Sequence, residues 1–334
     1  MKKKLSLILA GILALGLFTG CGNSSQNDTA EGTDGKTEVT LQLKWLPSAQ
    51  FTGFFVAKDK GFYEEEGLDV NILAGGSDIT PATQVVNEAA QFAIANTYSI
   101  LPFEEQDQPV VEVAQIFRKS TLELASYPDS GIKTVEDLKG KRIGVWLGSS
   151  EYPVYSLLKK YNINKDTDVT IAKQDYSVDG LKNGSLDVAC VHSYENYVND
   201  NDFNLIDLGK EGFSMLEDAV ITNTEFAEKN PEVVEKFLRA TVKGWEYAYN
   251  NLDEAVDIVW NNVDQVSTTK DEQREFAKRV LDVVVPEGST VDDIGTIDEA
   301  NINSTAQISL EYGVIKEIPE KIYDSTYIEK AKQK

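Results

Sequence analysis

Leu43–Ile72 reads LKWLPSAQFTGFFVAKDKGFYEEEGLDVNI. Thr40–Trp45 (TLQLKW), which overlaps its start, predicts a strand. Gly53–Glu66 predicts an amphipathic helix, Gly67 stops it, and Leu68–Leu73 predicts a second strand. Strand, helix and strand in immediate succession form the unit from which parallel sheets are built.

The alternation continues outward from this stretch. Thr80–Glu88 predicts a helix, and Phe92–Ala95 and Val111–Phe117 predict strands. Beyond Pro128 the pattern starts again, with a short helix at Thr134–Leu138, a strand at Arg142–Trp146 (RIGVW) and a helix at Ser149–Tyr161. A strand at Asp168–Ala172, a helix at Val178–Asn183 and a strand at Asp187–His192 complete this second module. The modules echo each other. VVNEAAQFAIANTYS (Val85–Ser99) and GLKNGSLDVACVHSYE (Gly180–Glu195) both run from a helix into a short apolar strand with polar residues at its carboxyl end. Ligands of open α/β sheets bind outside the carboxyl ends of the strands. Two such modules therefore predict an α/β protein of two lobes, with parallel-rich sheets and a ligand between them.

The last third is helical: Glu225–Asn251, with Asn230-Pro231 marking the start of its long helix, then Asp253–Asn261, Lys270–Val283 and Asp298–Tyr312. Packed on the first lobe, these helices divide the chain into lobe 1 (39–124 with 218–334) and lobe 2 (125–217). The chain then crosses twice, near Leu122–Tyr127 and near Phe213–Thr222, and two adjacent crossovers make a hinge.

The amino terminus points to a compartment. Lys2, Lys3 and Lys4 precede an apolar run from Leu5 to Gly20. That run is shorter than the ~20 residues of a spanning helix and reads as a secretory signal. It ends Leu17-Phe18-Thr19-Gly20-Cys21, a small residue directly before a cysteine, which is the lipobox pattern of a bacterial lipoprotein. Residues 1–21 are thus expected to be a signal peptide with lipobox, with Cys21 the lipidation site. The segment 22–38 (GNSSQNDTAEGTDGKTE) has no large apolar residue and is expected to be a flexible tether. The chain is expected to be extracytoplasmic, anchored to the cell membrane by lipid, and a monomer. Its net charge of −23 over 334 residues argues against nucleic acid as a partner. The cysteines are Cys21 and Cys190, so no disulfide is expected. His192 is the sole histidine and no cluster of metal ligands surrounds it in sequence, so neither a metal nor a cofactor is expected.

The opening stretch resembles the riboflavin and thiamine-pyrimidine-precursor binding lipoproteins of ABC importers. The shared pattern is a Trp-x-Pro loop, then Gly-x-x-x-Ala, Lys-Gly-Phe-Tyr and Glu-Gly-Leu-Asp-Val. DLKGKRIGVW (Asp137–Trp146), NTEFAEKNPEVVEKFLRA (Asn223–Ala240) and YGVI (Tyr312–Ile315) follow in the family's order. The resemblance implies a type II periplasmic-binding-protein-like fold, a small-molecule ligand and, as partners, an ABC permease and its ATPase. Members that bind the formylaminopyrimidine precursor resemble W-x-P-N-x-x-H-x-G in the first loop. Here Ser48 stands at the Asn position and Phe51 at the His position, so a hydrogen-bonding ring becomes a stacking ring. W-x-P-x-A-Q-F-x-G, the run Gly75–Pro81 and the pair Glu151-Tyr152 are similar to riboflavin-binding members. Riboflavin is therefore the first expectation and a thiamine pyrimidine precursor the second; a sensory lipoprotein and a nitrate or sulfonate binder stand behind them.

A flat heterocycle needs apolar faces and a few directed polar groups. Trp45, Phe51 and Trp146 are the candidate plates, with Trp45 and Trp146 closing from opposite lobes. Gln50, Asn96, Thr97, Ser149 and Ser150 are candidate polar contacts at strand-to-helix turns. Glu151 is either a ligand contact or a helix cap, and Tyr194 is a candidate donor on the second lobe. A fungal pyrimidine synthase shares the fold. Its own consumed histidine would fall near Ser99 and its cysteine cluster just before Val220. Neither is present here, and an enzyme is not expected.

Overall fold

The computed structural model describes residues 35–175, 178–195 and 202–333. The leader, Cys21 and the tether up to residue 34 lie outside the described residues.

The first βαβ unit forms as its sequence predicts, with shifted edges. Strand β1 (Thr37–Gln42) pairs in parallel with β2 (Leu68–Leu73) along its whole length, from Thr37 opposite Leu68 to Gln42 opposite Leu73. The tether reading therefore overran, because Thr37 and Glu38 already belong to this strand. β3 (Phe92–Ala95) and β4 (Val111–Gln115) join the same sheet, and β5 (Leu122–Ser126) opens the second. There it is followed by β6 (Arg142–Val145), β7 (Thr170–Lys173), β8 (Val188–His192) and β9 (Asn204–Asp207). The chain then returns, and β10 (Ala219–Thr222) completes the first sheet.

The two sheets have the same plan. The first runs β2-β1-β3-β10-β4 and the second β7-β6-β8-β5-β9. In each, a strand delivered from the other sheet is inserted fourth and runs antiparallel to both neighbours. The sheets are parallel-rich but mixed: in each, four of the five strands share one direction, and the strand entering from the opposite lobe arrives against it. β5 also corrects the expected boundary. Leu122–Ser126 is a strand wholly within the second sheet, so the outgoing connection is 116–121, and a division at 124/125 would cut it.

Among the described residues, twelve α-helices cover the sheets. They are α1 (Thr52–Asp59), α2 (Phe62–Glu65), α3 (Pro81–Val86), α4 (Thr97–Glu104), α5 (Glu151–Lys160) and α6 (Asp179–Lys182). The carboxyl third adds α7 (Thr224–Lys229), α8 (Pro231–Asn250), α9 (Leu252–Trp260), α10 (Lys270–Val284), α11 (Glu299–Tyr312) and α12 (Thr326–Ala331). The single helix expected over Gly53–Glu66 is two, broken at Gly61, whose φ of +73° a helix interior does not allow. In the run Glu225–Asn251 the long helix starts at Asn230-Pro231 as expected: Pro231 opens α8, where its missing N–H costs nothing.

The Gly-x-x-x-Ala pattern is a helix crossing. A Cβ on Gly53 would lie 2.1 Å from the Trp245 indole, and one on Gly244 would lie 2.2 Å from the Gly53 carbonyl and 2.7 Å from Ala57. α1 and α8 therefore touch backbone to backbone, and Trp245, fully buried, fills the space the glycines leave. The first core gathers here with Phe51, Phe54, Phe92 and Phe237; a second core around Leu124, Ile143, Leu157 and Phe213 lies under the other sheet. α11 departs from the expectation that the last third packs on lobe 1 alone. Its Ile308 and Tyr312 pack on the second core, against α5.

Two carboxyls are buried in the first lobe. Glu112 on β4 accepts a hydrogen bond from the Thr97 hydroxyl (2.8 Å), and its other oxygen is unpartnered among the described residues, as are both oxygens of Glu104. Burial pushes Glu112 up to about 8 and, with the charge of Glu112, pushes Glu104 well above the carboxylate range. A carboxyl whose folded pKa exceeds its unfolded value stabilises fully below the unfolded pKa. That stabilisation is lost as pH rises through the folded value. The melting temperature of the wild type should thus fall between pH 5 and pH 8, and Glu112→Gln should flatten the fall by raising the pH 8 value. Calorimetry at both pH values checks this; equal slopes for the two proteins would show that Glu112 ionises without cost.

Candidate functional site

Five strands point their carboxyl ends at one cleft. Lys44 and Trp45 follow β1, Gly76–Pro81 follow β2, and Asn96 follows β3. Trp146–Ser149 follow β6, and His192, Tyr194 and Glu195 come at the end of β8. These residues enclose about 670 Å³, part of it open to solvent. Three loops come from one sheet and two from the other, so the cleft exists only because the lobes face each other. Among the described residues, polar contacts cross it directly. Asn96 Nδ2 donates to Ser149 Oγ (2.8 Å), and Lys173 pairs with Asp78 at its edge (2.7 Å).

The floor is built from the first loop and the return connection. Lys44 Nζ donates to Asn96 Oδ1 (2.7 Å) and forms an ion pair with Asp218. Gln50 Nε2 donates to both Asp218 oxygens, at 2.9 and 3.2 Å. Asp218 is buried and has a φ of +50°, a left-handed conformation that non-glycine residues rarely adopt. Burial raises its pKa, and the opposing pull of Lys44 and Gln50 does not cancel that. Its neighbour Glu217 faces the other lobe. It accepts a hydrogen bond from Thr121, whose hydroxyl lies 3.0 Å from His192 Nδ1, and its own carboxylate is 3.5 Å from that nitrogen. Burial would raise Glu217, but the charges of His192 and Lys44 and the Thr121 hydroxyl outweigh it and hold the carboxyl below its usual value.

A column of rings forms one wall. Trp146 stacks on His192 (5.3 Å, 2°), His192 on Tyr194 (5.0 Å, 4°), and Tyr194 on Phe276 of α10 (5.5 Å, 15°). Trp45 meets Trp146 edge to face at 6.1 Å and 65°. The two indoles do approach from opposite lobes, yet they touch each other and are not parallel plates. A ring can enter between them only if the lobes part, because rings already in van der Waals contact leave no slot.

The sequence candidates separate into two groups. Trp45, Gln50, Asn96, Trp146, Ser149 and Tyr194 line the cleft. Phe51 does not. The turn Ala49–Phe51 rolls its ring into the first core, where it is fully buried, so its replacement of a histidine supplies no stacking plate. Thr97 is also fully buried, its hydroxyl spent on Glu112. Ser150 accepts from the Trp146 N–H (2.9 Å), and Glu151 accepts from the N–H groups of Gly148 (2.6 Å) and Ser149 (2.8 Å). Both shape the loop from behind. Sequence reasoning missed Lys44, Asp218 and Glu217, and it weighed His192 as a metal ligand or a catalytic base but not as part of the cleft wall. Lys44 was legible as the residue beside Trp45; nothing in the local pattern marks Glu217-Asp218, whose partners are distant in sequence.

Residues 48–255 match the family model described as NMT1/THI5 like. A formylaminopyrimidine-binding protein of Halalkalibacterium halodurans is 25% identical over 78% of this chain and 80% of its own length. A riboflavin-binding protein, RibY, of Chloroflexus aurantiacus is 24% identical over 76% and 77%. A 4-amino-5-hydroxymethyl-2-methylpyrimidine phosphate synthase of Saccharomyces cerevisiae is 27% identical over 63% and 66%. Among solved structures, a Candida albicans protein exhibiting the generic periplasmic binding protein fold superposes with a TM-score of 0.62 at 16% identity, over 88% of this chain and 94% of its own. The fold is therefore of the periplasmic-binding-protein type.

The Lys44–Asp218 pair makes a prediction about the floor. Breaking a buried pair leaves an uncompensated charge and costs about 3–5 kcal/mol, against ~1 kcal/mol or less for an exposed pair. Asp218→Ala should destabilise the protein by the larger amount in urea denaturation at neutral pH. A loss within the exposed-pair range would show that solvent reaches Lys44 freely.

Proposed function

We propose, on the premise that this chain belongs to the NMT1/THI5-like family, that it is the solute-binding component of an ABC importer and takes an uncharged planar heterocycle. One observation carries the ligand class. The basic residues lining the cleft are Lys44 and His192, and each already faces a carboxylate of this chain, Asp218 and Glu217. The amides of Gly148 and Ser149 likewise face Glu151. An anionic ligand would compete with these internal carboxylates, whereas a neutral ring meets the faces of Trp45, Trp146 and Tyr194 and the polar ends of Gln50, Asn96 and Ser149.

Riboflavin is the proposed ligand, supported by the first-loop pattern and by the RibY relative. A formylaminopyrimidine is the second reading, supported by a relative of equal weight. No catalytic step is proposed. The Ser99 hydroxyl, near the position expected for the synthase histidine, donates to the Asn96 carbonyl of its own turn (2.7 Å), and Leu216–Ala219, before Val220, include no cysteine. The extracytoplasmic location and the lipid anchor at Cys21 rest on the leader and tether sequences; no helix among the described residues is long and apolar enough to cross a membrane.

Two experiments follow. Riboflavin titrated into the protein should lose fluorescence, since a nearby indole quenches a flavin, and should release heat. Trp146→Ala should weaken binding about ten- to a hundredfold with an unchanged circular dichroism spectrum. Absence of heat and quenching with riboflavin, together with binding of a formylaminopyrimidine, would transfer the site to the second ligand. For the anchor, Cys21→Ala should move the protein from the membrane fraction to the soluble fraction of the producing cell; an unaltered distribution would refute lipidation.

A further inference from the structure

His192 has one nitrogen turned to the hinge and one turned to the cleft. Its place is set by register: it ends β8 opposite Leu122, the first residue of β5, so Thr121 of the outgoing connection lies beside its ring. Its backbone N–H donates to the Glu195 carboxylate (2.8 Å), which fixes the main chain. Trp146 covers one face of the imidazole and Tyr194 the other, so the ring can offer only its edge. On that edge Nδ1 lies 3.0 Å from Thr121 Oγ1 and 3.5 Å from Glu217. The Thr121 hydroxyl hydrogen goes to Glu217, so its oxygen is left to accept and Nδ1 must be the donor. Nε2 has no hydrogen-bond partner among the described residues, and it is not sealed from solvent, since His192 lines the cleft.

Charge decides what Nε2 carries. Two buried carboxylates stand at the hinge, and Lys44 already serves Asp218. A buried carboxylate without a cation is costly, so Glu217 requires the positive ring beside it. Burial works against the Glu217 charge, and the charge of His192 leads the influences that nevertheless hold this carboxyl below its usual value. The ring is then an imidazolium with a hydrogen on each nitrogen. We propose that His192 is a ligand-contacting residue: its Nε2–H donates to a carbonyl oxygen of the bound heterocycle, in a direction fixed by Thr121 and Glu217 on its other nitrogen. This deepens the ligand-class reading given above and rests on it. His192 and Glu217 are neutral as a pair, so the contact suits an uncharged carbonyl. Riboflavin presents carbonyl oxygens at the end of its ring system, and a formylaminopyrimidine presents its formyl oxygen. Because Glu217 belongs to the connection between the lobes, a ligand held on Nε2 is linked to the hinge through a single ring.

His192 is the sole histidine of the chain, so histidine labelled in its ring nitrogens reports this imidazole alone. In the free protein at neutral pH, nuclear magnetic resonance should show hydrogen on both nitrogens. Saturation with riboflavin should shift the Nε2 resonance and leave Nδ1 nearly in place. A neutral ring with hydrogen on Nδ1 alone overturns the proposal, as does an Nε2 resonance unmoved at saturation. His192→Phe keeps a flat ring between Trp146 and Tyr194 and loses the donor. In calorimetry it should bind riboflavin about ten- to a hundredfold more weakly than wild type does. A folded His192→Phe protein with wild-type affinity also overturns the proposal, since a mere spacer in the ring column would be served by either ring. Should the unpaired Glu217 keep this variant from folding, the wild-type resonances decide by themselves. The ligand reading fails separately. If riboflavin gives no heat with wild type and a formylaminopyrimidine does, the flavin is removed, and the Nε2 resonance measured with the formylaminopyrimidine upholds the role of His192 if it shifts and overturns it if it does not.

Discussion

Two adjacent carboxylates, Glu217 and Asp218, are buried where the chain returns from one lobe to the other, and the arrangement of the cleft follows from satisfying them. A carboxylate without a partner in such surroundings costs several kcal/mol, so each must find a cation or a set of donors. They look in opposite directions. Asp218 takes Lys44 and Gln50 from the first lobe, while Glu217 takes Thr121 from the outgoing connection and faces His192 from the second. The connections are tied to each other as well: Ile116 N–H donates to the Asp218 carbonyl (3.1 Å), and the Gln115 amide donates to the Glu217 carbonyl (2.7 Å). The hinge and the ligand floor are thus one polar network. The left-handed backbone at Asp218 is held in place by these partners on every side.

Rigidity in the first lobe comes from a different source. The contact of α1 with α8 through Gly53, Ala57 and Gly244 holds the helix that follows the Trp45 loop against the body of the lobe. The loop itself is tied down at Gly75, where a Cβ would collide with the Leu43 carbonyl, and by the Gly75 N–H donating to the Trp45 carbonyl (2.9 Å). Trp45 is therefore presented from a fixed platform. Trp146 stands instead on the short loop before α5, braced by Ser150 and by the stacked His192. Relative movement of the lobes separates these two indoles and alters the ring column, which ends on Phe276 in the first lobe.

Charge within the cleft is balanced internally. With a chain of net charge −23, a cleft that drew its ligand by positive potential would need cations free of partners. Lys44 and His192 are committed to the hinge carboxylates, and the head of α5 is committed to Glu151. On the function proposed above, recognition falls to ring faces and to neutral donors and acceptors, an arrangement in which shape and desolvation weigh more than long-range attraction.

Much of the fold was legible in the sequence because its signals are local. Periodicity and glycine stops place every strand of the two βαβ modules and most of the helices to within a few residues, though not α4 or α12, and repetition of the module implies two lobes. Local signals also bring Trp45, Asn96, Trp146, Ser149 and Tyr194 to the cleft, since each lies at the carboxyl end of a strand. What only the tertiary structure decided is how side chains with no periodic signature find distant partners. β5, β9 and β10 are strands because the opposite or returning sheet supplies their neighbours, not because their own residues demand it. Phe51 and Thr97 carry types that suit a ligand site, yet a turn of the backbone sends one into the core and a buried glutamate claims the other. Glu217 and Asp218 carry no local mark of their burial in the sequence. They become the centre of the protein because burial is a property of the folded whole, and a buried charge is defined by partners that can lie a hundred or more residues away.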